Sequence, residues 1–184
     1  MKKGAALFLD RDGVINTELP ADYVKTWDEF RFEEGAIEAL RILQPRFEKT
    51  IIVTNQRGVG AGIMTEEALD FIHAKMLSIL REEGIHVDKI YAATDEDRQS
   101  PRRKPHPYMG HLAQTDFPAI NFSASVMVGN SLSDMQFGHA LGMCNVFIDD
   151  KKRYENCTDV ANAHFEFDSL LLFARAVEKG TFTP

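Results

Sequence analysis

Residues 5–13 read Ala-Ala-Leu-Phe-Leu-Asp-Arg-Asp-Gly, an apolar run that ends in two aspartates separated by one arginine. A short run of consecutive apolar residues is typical of a β-strand buried on both faces. Asp10 and Asp12 are therefore expected close together where the chain leaves this strand, and their like charges repel there. Mg²⁺ prefers oxygen ligands and would offset this repulsion. The stretch predicts a buried parallel strand with a Mg²⁺ site at its carboxyl end.

Similar apolar runs recur along the chain and alternate with segments of helical periodicity. The predicted strands cover residues 5–10, 50–55, 89–94, 124–130 and 145–149. The predicted helices cover residues 35–44, the segment between Thr65 and Gly84, and residues 107–115, 133–141 and 169–179. Alternating strands and helices imply right-handed crossovers and an α/β fold with a doubly wound parallel sheet. Ligands bind such a sheet at the carboxyl ends of its strands.

Composition limits the classes of protein that fit. The chain has 184 residues, of which 44% are hydrophobic, and this suits a single domain over residues 1–184. Its formal net charge of −7 argues against a nucleic-acid or anionic membrane partner. No signal peptide precedes the first strand, and no apolar run approaches the ~20 residues that span a bilayer, so we expect a cytoplasmic protein. We also expect a monomer. Cys144 and Cys157 lack CxxC spacing and are interpreted as reduced thiols without a chemical role.

Polar residues follow several of the predicted strands, and the fold brings strand ends together. These residues are Asp10, Asp12, Thr54, Asn55, Asn130 and Asp134, with the basic stretch Arg-Arg-Lys-Pro at residues 102–105 after the third strand. Hydrolysis of a phosphate monoester needs acceleration by up to ~10²¹-fold, so a nucleophile, a proton donor and charge stabilisation are expected together. This set of residues can supply all three.

Four segments carry a resemblance to a known family. They read DRDGVIN at residues 10–16, VTNQRGVG at 53–60, RRKPHPYM at 102–109 and VGNSLSDM at 128–135. In this order they resemble the four signature motifs of the haloacid-dehalogenase superfamily of aspartyl-phosphate phosphatases. With the surrounding residues they resemble more narrowly the branch that contains heptose-1,7-bisphosphate and histidinol-phosphate phosphatases. The resemblance implies a Rossmann-like fold and a phosphoric monoester hydrolase.

The resemblance also implies roles for particular residues. Asp10 would attack phosphorus, and Asp12 would protonate the leaving oxygen and then activate water. Thr54 would bind the phosphoryl group, and Lys104 would stabilise its charge. The Mg²⁺ ligands would be Asp10, the backbone carbonyl of Asp12 and the residue at position 130.

Specificity is expected to come from loops, because the segment 14–34 is too short for a cap domain and the chain resembles capless members with small loop insertions. By resemblance, Arg103 would recognise substrate, and a substrate-contacting loop would comprise Asn55, Gln56 and Arg57. The candidates for contacts to sugar hydroxyls are Asn16, Asp22 and Tyr23, although Tyr23 fits a packing role equally well.

The chain departs from the branch pattern at two places. The fourth motif usually reads Gly-Asp, whereas here it reads Gly129-Asn130, and a neutral ligand should weaken Mg²⁺ binding unless Asp134 compensates as a further ligand. Many members hold a structural zinc on one histidine and three cysteines before the third motif. Here that loop, residues 93–101, reads ATDEDRQSP and offers neither ligand type.

Three functions remain open at this stage. The first is removal of the C7 phosphate of heptose 1,7-bisphosphate, which the resemblance places in the synthesis of ADP-heptose and lipopolysaccharide precursors. The second is hydrolysis of histidinol phosphate, a cationic aminoalcohol ester. The third is a catalytically weak phosphosugar-binding protein in which Asn130 has impaired metal binding. Arg57 and Arg103 favour a doubly anionic phosphorylated sugar as the substrate.

Overall fold

A computed structural model describes residues 3–19, 22–149 and 162–182. Its centre is a six-stranded sheet in the order β3-β2-β1-β4-β5-β6, and every neighbouring pair is parallel. The strands are β1 Ala6–Leu9, β2 Lys49–Asn55, β3 Lys89–Ala93, β4 Val126–Gly129, β5 Cys144–Ile148 and β6 Phe165–Phe167. The predicted α/β fold with a parallel sheet is confirmed.

Helices connect the strands and cover both faces of the sheet. They are α1 Ala36–Leu43, α2 Arg57–Gly60, α3 Glu66–Glu82, α4 Tyr108–Asp116, α5 Leu132–Ala140 and α6 Leu170–Glu178. Five of them correspond to predicted helices within a few residues at each end. The one-turn helix α2 and the short strand β6 were not predicted, because a single turn and a three-residue strand at the sheet edge carry too little periodicity to be recognised.

Two apolar clusters flank the sheet, and β1 contributes to both. Leu7 and Leu9 face the cluster that contains buried residues of α1, α3 and α6, whereas Ala6 and Phe8 face the cluster built with α4 and α5. Successive side chains of a strand point to opposite faces, so a strand covered on both sides must be apolar throughout. Burial of a leucine or phenylalanine side chain contributes roughly 1.5–3 kcal/mol, which makes β1 a strong anchor of the fold.

The strand order determines which loops meet. The chain crosses from β1 to β2 on one side and reaches β4 on the other side, so β1 lies at the point where the strand order reverses. Ligands bind at such a switch point, outside the carboxyl ends of the strands. Asp10, which follows β1, therefore lies between the ends of β2 and β4.

Two expectations concern the chain as a whole. None of the helices in the described ranges is both long and apolar enough to cross a bilayer. Cys144 is half-buried at the start of β5, whereas Cys157 lies outside the described residues, so the state of the two thiols remains a prediction.

Candidate active site

Lys104 joins two aspartates at the carboxyl edge of the sheet. Its Nζ lies 2.8 Å from Oδ1 of Asp10 and 2.6 Å from Oδ1 of Asp134, and it donates to the carbonyl oxygen of Val53 at 2.8 Å. The lysine side chain is only 2% exposed. A buried ammonium needs paired charges and filled hydrogen bonds, and these three oxygens provide them. The structure thus brings the predicted nucleophile and the predicted charge-stabilising lysine into contact.

Asp134 is fully buried and contacts protein groups through both carboxylate oxygens. Oδ2 accepts hydrogen bonds from the backbone N–H and the hydroxyl of Ser131, completing a capping box at the start of α5, while Oδ1 faces Lys104. These contacts favour a role for Asp134 in the positioning of Lys104, and direct metal binding by Asp134 stays a prediction.

The side chain of Asp12 accepts three hydrogen bonds. Oδ1 receives Arg11 Nη2 at 2.8 Å and Asn16 Nδ2 at 2.9 Å, and Oδ2 receives Gln56 Nε2 at 2.8 Å. Burial alone would raise the pKa of Asp12, but the charge of Arg11 and the three hydrogen bonds outweigh it and lower the pKa. Asp12 is thus ionised and fixed in orientation before substrate arrives.

Asp10 is in the opposite electrostatic situation. Burial and the negative charge of Asp134 raise its pKa, and the attraction of Lys104 offsets only part of this. Its Oδ1 accepts from the Arg11 backbone N–H at 2.7 Å and faces Lys104. Asp10, Asp12 and Asp134 together carry more negative charge than Lys104 and Arg11 balance at this edge once a phosphate is added. A divalent cation would correct that imbalance.

The oxygen donors near Asp10 fit Mg²⁺. They are the Asp10 carboxylate, the backbone carbonyl of Asp12 and the side-chain amide of Asn130, all oxygen ligands of the type that Mg²⁺ takes. Asn130 is 6% exposed, and its Nδ2 lies so close to Gly13 that a Cβ there would collide with it. Gly13 also has a φ of +81°, which favours glycine. The turn after β1 therefore packs directly against Asn130, as a shared metal site requires.

The second strand supplies two polar residues, and both are held in place. Thr54 is 1% exposed, and its Oγ1 accepts from Gln56 Nε2 at 2.8 Å. Asn55 donates to the carbonyl of Lys104 and accepts from the N–H of Lys104, each at 3.0 Å. This paired contact fixes the backbone of Lys104 beside β2, so Asn55 positions the lysine whatever else it contacts.

Two residues predicted to contact substrate are buried against Asp12. Asn16 is fully buried, and its amide donates to Asp12 and to the Thr17 carbonyl. Gln56 is 2% exposed, and its amide bridges Asp12 and Thr54. Both side chains thus hold Asp12, and Gln56 also holds Thr54, while contact of either residue with substrate stays a prediction.

The other substrate candidates surround the entrance to the site. A cavity of about 110 Å³ is lined by Arg11, Asp12, Glu18, Leu19, Asp22, Tyr23, Val24, Asn55 and Gln56. Tyr23 also packs its ring against Gly58, so it combines a packing contact with a place in the cavity wall. Asp22 is exposed and pairs with Lys25 at 2.6 Å.

The two predicted substrate arginines are held by the loop 93–101. Arg57 Nε donates to the Glu96 carbonyl at 2.9 Å, and Arg103 Nη1 donates to the Asp95 carbonyl at 3.0 Å. Burial lowers the pKa of Arg103, and the positive charge of Arg57 contributes to the same shift. The loop is closed by its own hydrogen bonds, including Gln99 N–H to Asp97 Oδ1 at 2.9 Å.

Sequence reasoning missed Arg11 and His73. Arg11 is fully buried under the site, with Nη1 3.1 Å from Nε2 of His73 on α3. One signal was present, since His73 falls on the same helix face as Leu69 and Met76 and so had to be buried. The partner of a buried histidine depends on how α3 packs, which the sequence pattern does not define.

Comparison with known proteins agrees with this arrangement. The family described as "Polynucleotide kinase 3 phosphatase" matches residues 6–169. D-glycero-alpha-D-manno-heptose-1,7-bisphosphate 7-phosphatase of Mycobacterium tuberculosis is 35% identical over 176 residues, 93% of this chain and 90% of that protein. D-glycero-beta-D-manno-heptose-1,7-bisphosphate 7-phosphatase of Escherichia coli K12 is 38% identical over 143 residues, 73% of each protein.

A solved structure extends the similarity to three dimensions. The D,D-heptose 1,7-bisphosphate phosphatase from B. bronchiseptica, crystallised with magnesium and phosphate, superposes with a TM-score of 0.85 at 26% identity. The match covers 96% of this chain and 99% of that one. Fold, site and relatives together define a phosphatase of the haloacid-dehalogenase superfamily. Within the superfamily, the chain belongs to the polynucleotide kinase 3 phosphatase family, and it is similar to the heptose bisphosphate phosphatases named above.

Proposed function

We propose that this chain hydrolyses a sugar bisphosphate through an aspartyl-phosphate intermediate, and that the substrate is heptose 1,7-bisphosphate, cleaved at C7. The observation that carries the proposal is the contact of Asp10 with Lys104 beside an ionised, fixed Asp12. This arrangement supports a nucleophile, a cation and an acid–base group that act together at the carboxyl edge of the sheet. Mg²⁺, held by Asp10, the Asp12 carbonyl and Asn130, would offset the charge of the bound phosphate.

The first half-reaction forms a covalent intermediate. A carboxylate oxygen of Asp10 bonds to phosphorus while the bond from phosphorus to the sugar oxygen breaks, and Asp12 gives that oxygen a proton. Asp12 is ionised in the free enzyme, so it must take up this proton as the anionic phosphate binds and raises its pKa. Lys104 and Thr54 stabilise and hold the phosphoryl oxygens.

The second half-reaction restores the enzyme. Asp12, now a carboxylate, removes a proton from water as the water oxygen attacks phosphorus. The bond between phosphorus and Asp10 breaks, which returns the Asp10 carboxylate and releases inorganic phosphate. Arg11, Asn16 and Gln56 keep the Asp12 carboxylate aimed in one direction through both steps.

Charge around the entrance supports a doubly anionic substrate. The guanidinium of Arg103 lies near Tyr23 and Arg57, and a second phosphate would pair with the two arginines. A cationic aminoalcohol such as histidinol phosphate would be repelled by the same groups. The names of the relatives point in the same direction and include both anomers of the heptose bisphosphate.

The proposal is tested by phosphate release with Mg²⁺ over a defined panel. The panel holds both heptose 1,7-bisphosphate anomers, histidinol phosphate, common hexose phosphates and an oligonucleotide with a 3′-phosphate, the last chosen because of the family description. We expect the highest kcat/KM for one heptose bisphosphate anomer and a product that retains its C1 phosphate. Higher kcat/KM for histidinol phosphate or the oligonucleotide would replace the substrate assignment.

A binding protein without turnover is distinguished in the same assay. If heptose bisphosphate protects the chain against thermal unfolding but no substrate of the panel releases phosphate, the chain only binds phosphosugars. Asp10→Asn serves as the inactive reference, because it removes the nucleophile and leaves the arginines of the entrance in place.

A further inference from the structure

A buried arginine connects the acid–base aspartate to a histidine that the proposed mechanism does not use. Arg11 is 0% exposed and lies between Asp12 and His73. Nη2 donates to Asp12 Oδ1 at 2.8 Å, and Nη1 lies 3.1 Å from His73 Nε2. Nε of Arg11 has no hydrogen-bond partner among the described residues, so these two contacts hold the guanidinium. The orientation of Arg11 thus depends on a residue of α3.

The chemistry of arginine determines the state of His73. A guanidinium has only donors, so His73 Nε2 must accept this hydrogen bond through its lone pair. The proton of the neutral imidazole must then be on Nδ1. Burial and the positive charge of Arg11 lower the pKa of His73 to about 4, which agrees with a neutral ring at physiological pH. In an imidazolium, the Nε2–H of His73 would face an N–H of Arg11, so protonation of His73 breaks this hydrogen bond.

His73 is itself held firmly. It is 9% exposed on α3, where Leu69, Ile72 and Met76 anchor the same helix face in the apolar core. A side chain in a close-packed interior has little freedom to move. His73 therefore offers Arg11 a fixed acceptor on the side opposite to Asp12.

We propose that His73 is a positioning residue, which as a neutral acceptor aims the Arg11 guanidinium at Asp12 and so holds the acid–base carboxylate in its working orientation. The catalytic consequence rests on the proposed function, since it requires Asp12 to transfer protons. Loss of the acceptor would leave Nη1 of a buried guanidinium unpaired, and the arginine would turn or admit water. Asp12 Oδ1 would then lose one of its two donors and keep the hydrogen bond from Asn16.

The contact itself is tested without any assay of activity. Two-dimensional ¹H–¹⁵N spectra of the histidine rings report which nitrogen carries the proton. For His73 we expect a neutral ring protonated at Nδ1 at pH 7, and His73→Gln identifies its signals by their loss. A ring protonated at Nε2, or at both nitrogens, would overturn the proposal.

The consequence for catalysis is tested with two leaving groups. An alkyl phosphate needs a proton donor to release its oxygen, whereas p-nitrophenyl phosphate has a leaving group that needs none. Because kcat/KM reports the steps up to phosphoenzyme formation, we expect His73→Leu to lower it about tenfold or more for the alkyl phosphate and far less for p-nitrophenyl phosphate. Asp12→Asn gives the pattern for complete loss of the acid.

Rescue separates positioning from a general effect on folding. His73→Gln is expected to keep most of the wild-type activity, because the side-chain oxygen of a glutamine can accept from Arg11 where leucine cannot. His86→Leu, which replaces an exposed histidine, is the matched control and should behave as wild type. Equal losses on both substrates, or a glutamine variant no better than leucine at equal thermal stability, would overturn the positioning role. A wild type inactive on every phosphate monoester would overturn the proposed function, while the ring spectra would still decide the contact.

Discussion

Nζ of Lys104 lies 2.8 Å from Oδ1 of Asp10, in a pair whose side chains are 2% and 13% exposed. The lysine comes from the loop after β3, while the aspartate follows β1, so the strand order brings together two residues that are far apart in the sequence. In the proposed mechanism, a cation at this distance would attract the phosphoryl oxygens to Asp10. It would also stabilise the charge that develops as the phosphoryl group is transferred.

Replacement of the nucleophile should separate activity from stability. Asp10→Asn is expected to lower turnover at least about a thousandfold, because a covalent nucleophile has no substitute nearby. Stability should be equal or higher, since the variant removes a buried charge whose pKa burial and Asp134 raise. Phosphate release and thermal unfolding measure the two effects. Asp28→Asn, an exposed carboxylate loss, is the control, and more than a few per cent of wild-type turnover in Asp10→Asn would exclude this role.

The sequence was most informative where backbone periodicity and strand ends determine position. Asp10, Thr54 and Lys104 were predicted to converge because each follows or ends a buried strand of a parallel sheet, and the structure brings them together. The burial of Asn16 and Gln56 was not predictable, because their orientation depends on hydrogen bonds to Asp12 across the turn.

The role of Asp134 and the contact of His73 share this limitation. Both depend on how a helix packs against the rest of the fold. Asp134 caps α5 and also faces Lys104, and His73 contacts Arg11 because α3 lies under the loop that follows β1. Sequence patterns identify the buried face of a helix but not its partner.

The depressed pKa of His73 predicts a defined dependence of stability on pH. The folded state binds the proton only near pH 4, whereas the unfolded chain binds it near pH 6.5. Between these values the unfolded state holds more protons, so stability falls as the pH decreases through this window. The titration of His73 contributes about 2 kcal/mol to the loss of stability between pH 7.5 and pH 5.

The measurement is the free energy of unfolding in urea at pH 7.5 and pH 5. His73→Gln should lose about 2 kcal/mol less than wild type over this interval, because glutamine does not titrate. His86→Gln removes one exposed imidazole and should lose as much as wild type. An identical loss in wild type and His73→Gln would show that His73 accepts a proton equally well in both states.

The loop 93–101 should need no metal. It contains neither cysteine nor histidine, and Asp97 closes it by accepting hydrogen bonds from the backbone N–H groups of Gln99 and Ser100. We expect elemental analysis of purified protein to give far less than one zinc per chain. A chelator should abolish turnover by removing Mg²⁺. It should not destabilise the loop 93–101, because the loop holds no metal. One tightly bound zinc per chain would contradict this interpretation.

Asn130 should set the affinity for Mg²⁺ rather than the maximal rate. Asn130→Asp adds a negative charge beside Gly13, in the turn after β1, and a carboxylate contributes a stronger field at a bound metal than an amide. Half-maximal phosphate release should occur at roughly tenfold lower Mg²⁺, a difference of about 1.4 kcal/mol, with a similar plateau. Without metal the variant should unfold at a lower temperature than wild type, because Asp10, Asp134 and the new carboxylate repel one another.

The control for the added charge is Asn121→Asp at an exposed turn. It changes the net charge from −7 by the same unit, and its side-chain oxygen still accepts a hydrogen bond from the Ser123 N–H. It should shift neither the Mg²⁺ titration nor the melting temperature, so an effect confined to Asn130→Asp is local. Titration of unfolding temperature with Mg²⁺ follows metal binding independently of turnover. If wild type binds no Mg²⁺ by this measure, and both binding and turnover arise only in Asn130→Asp, then Asn130 has disabled the enzyme and the chain functions as a phosphosugar-binding protein.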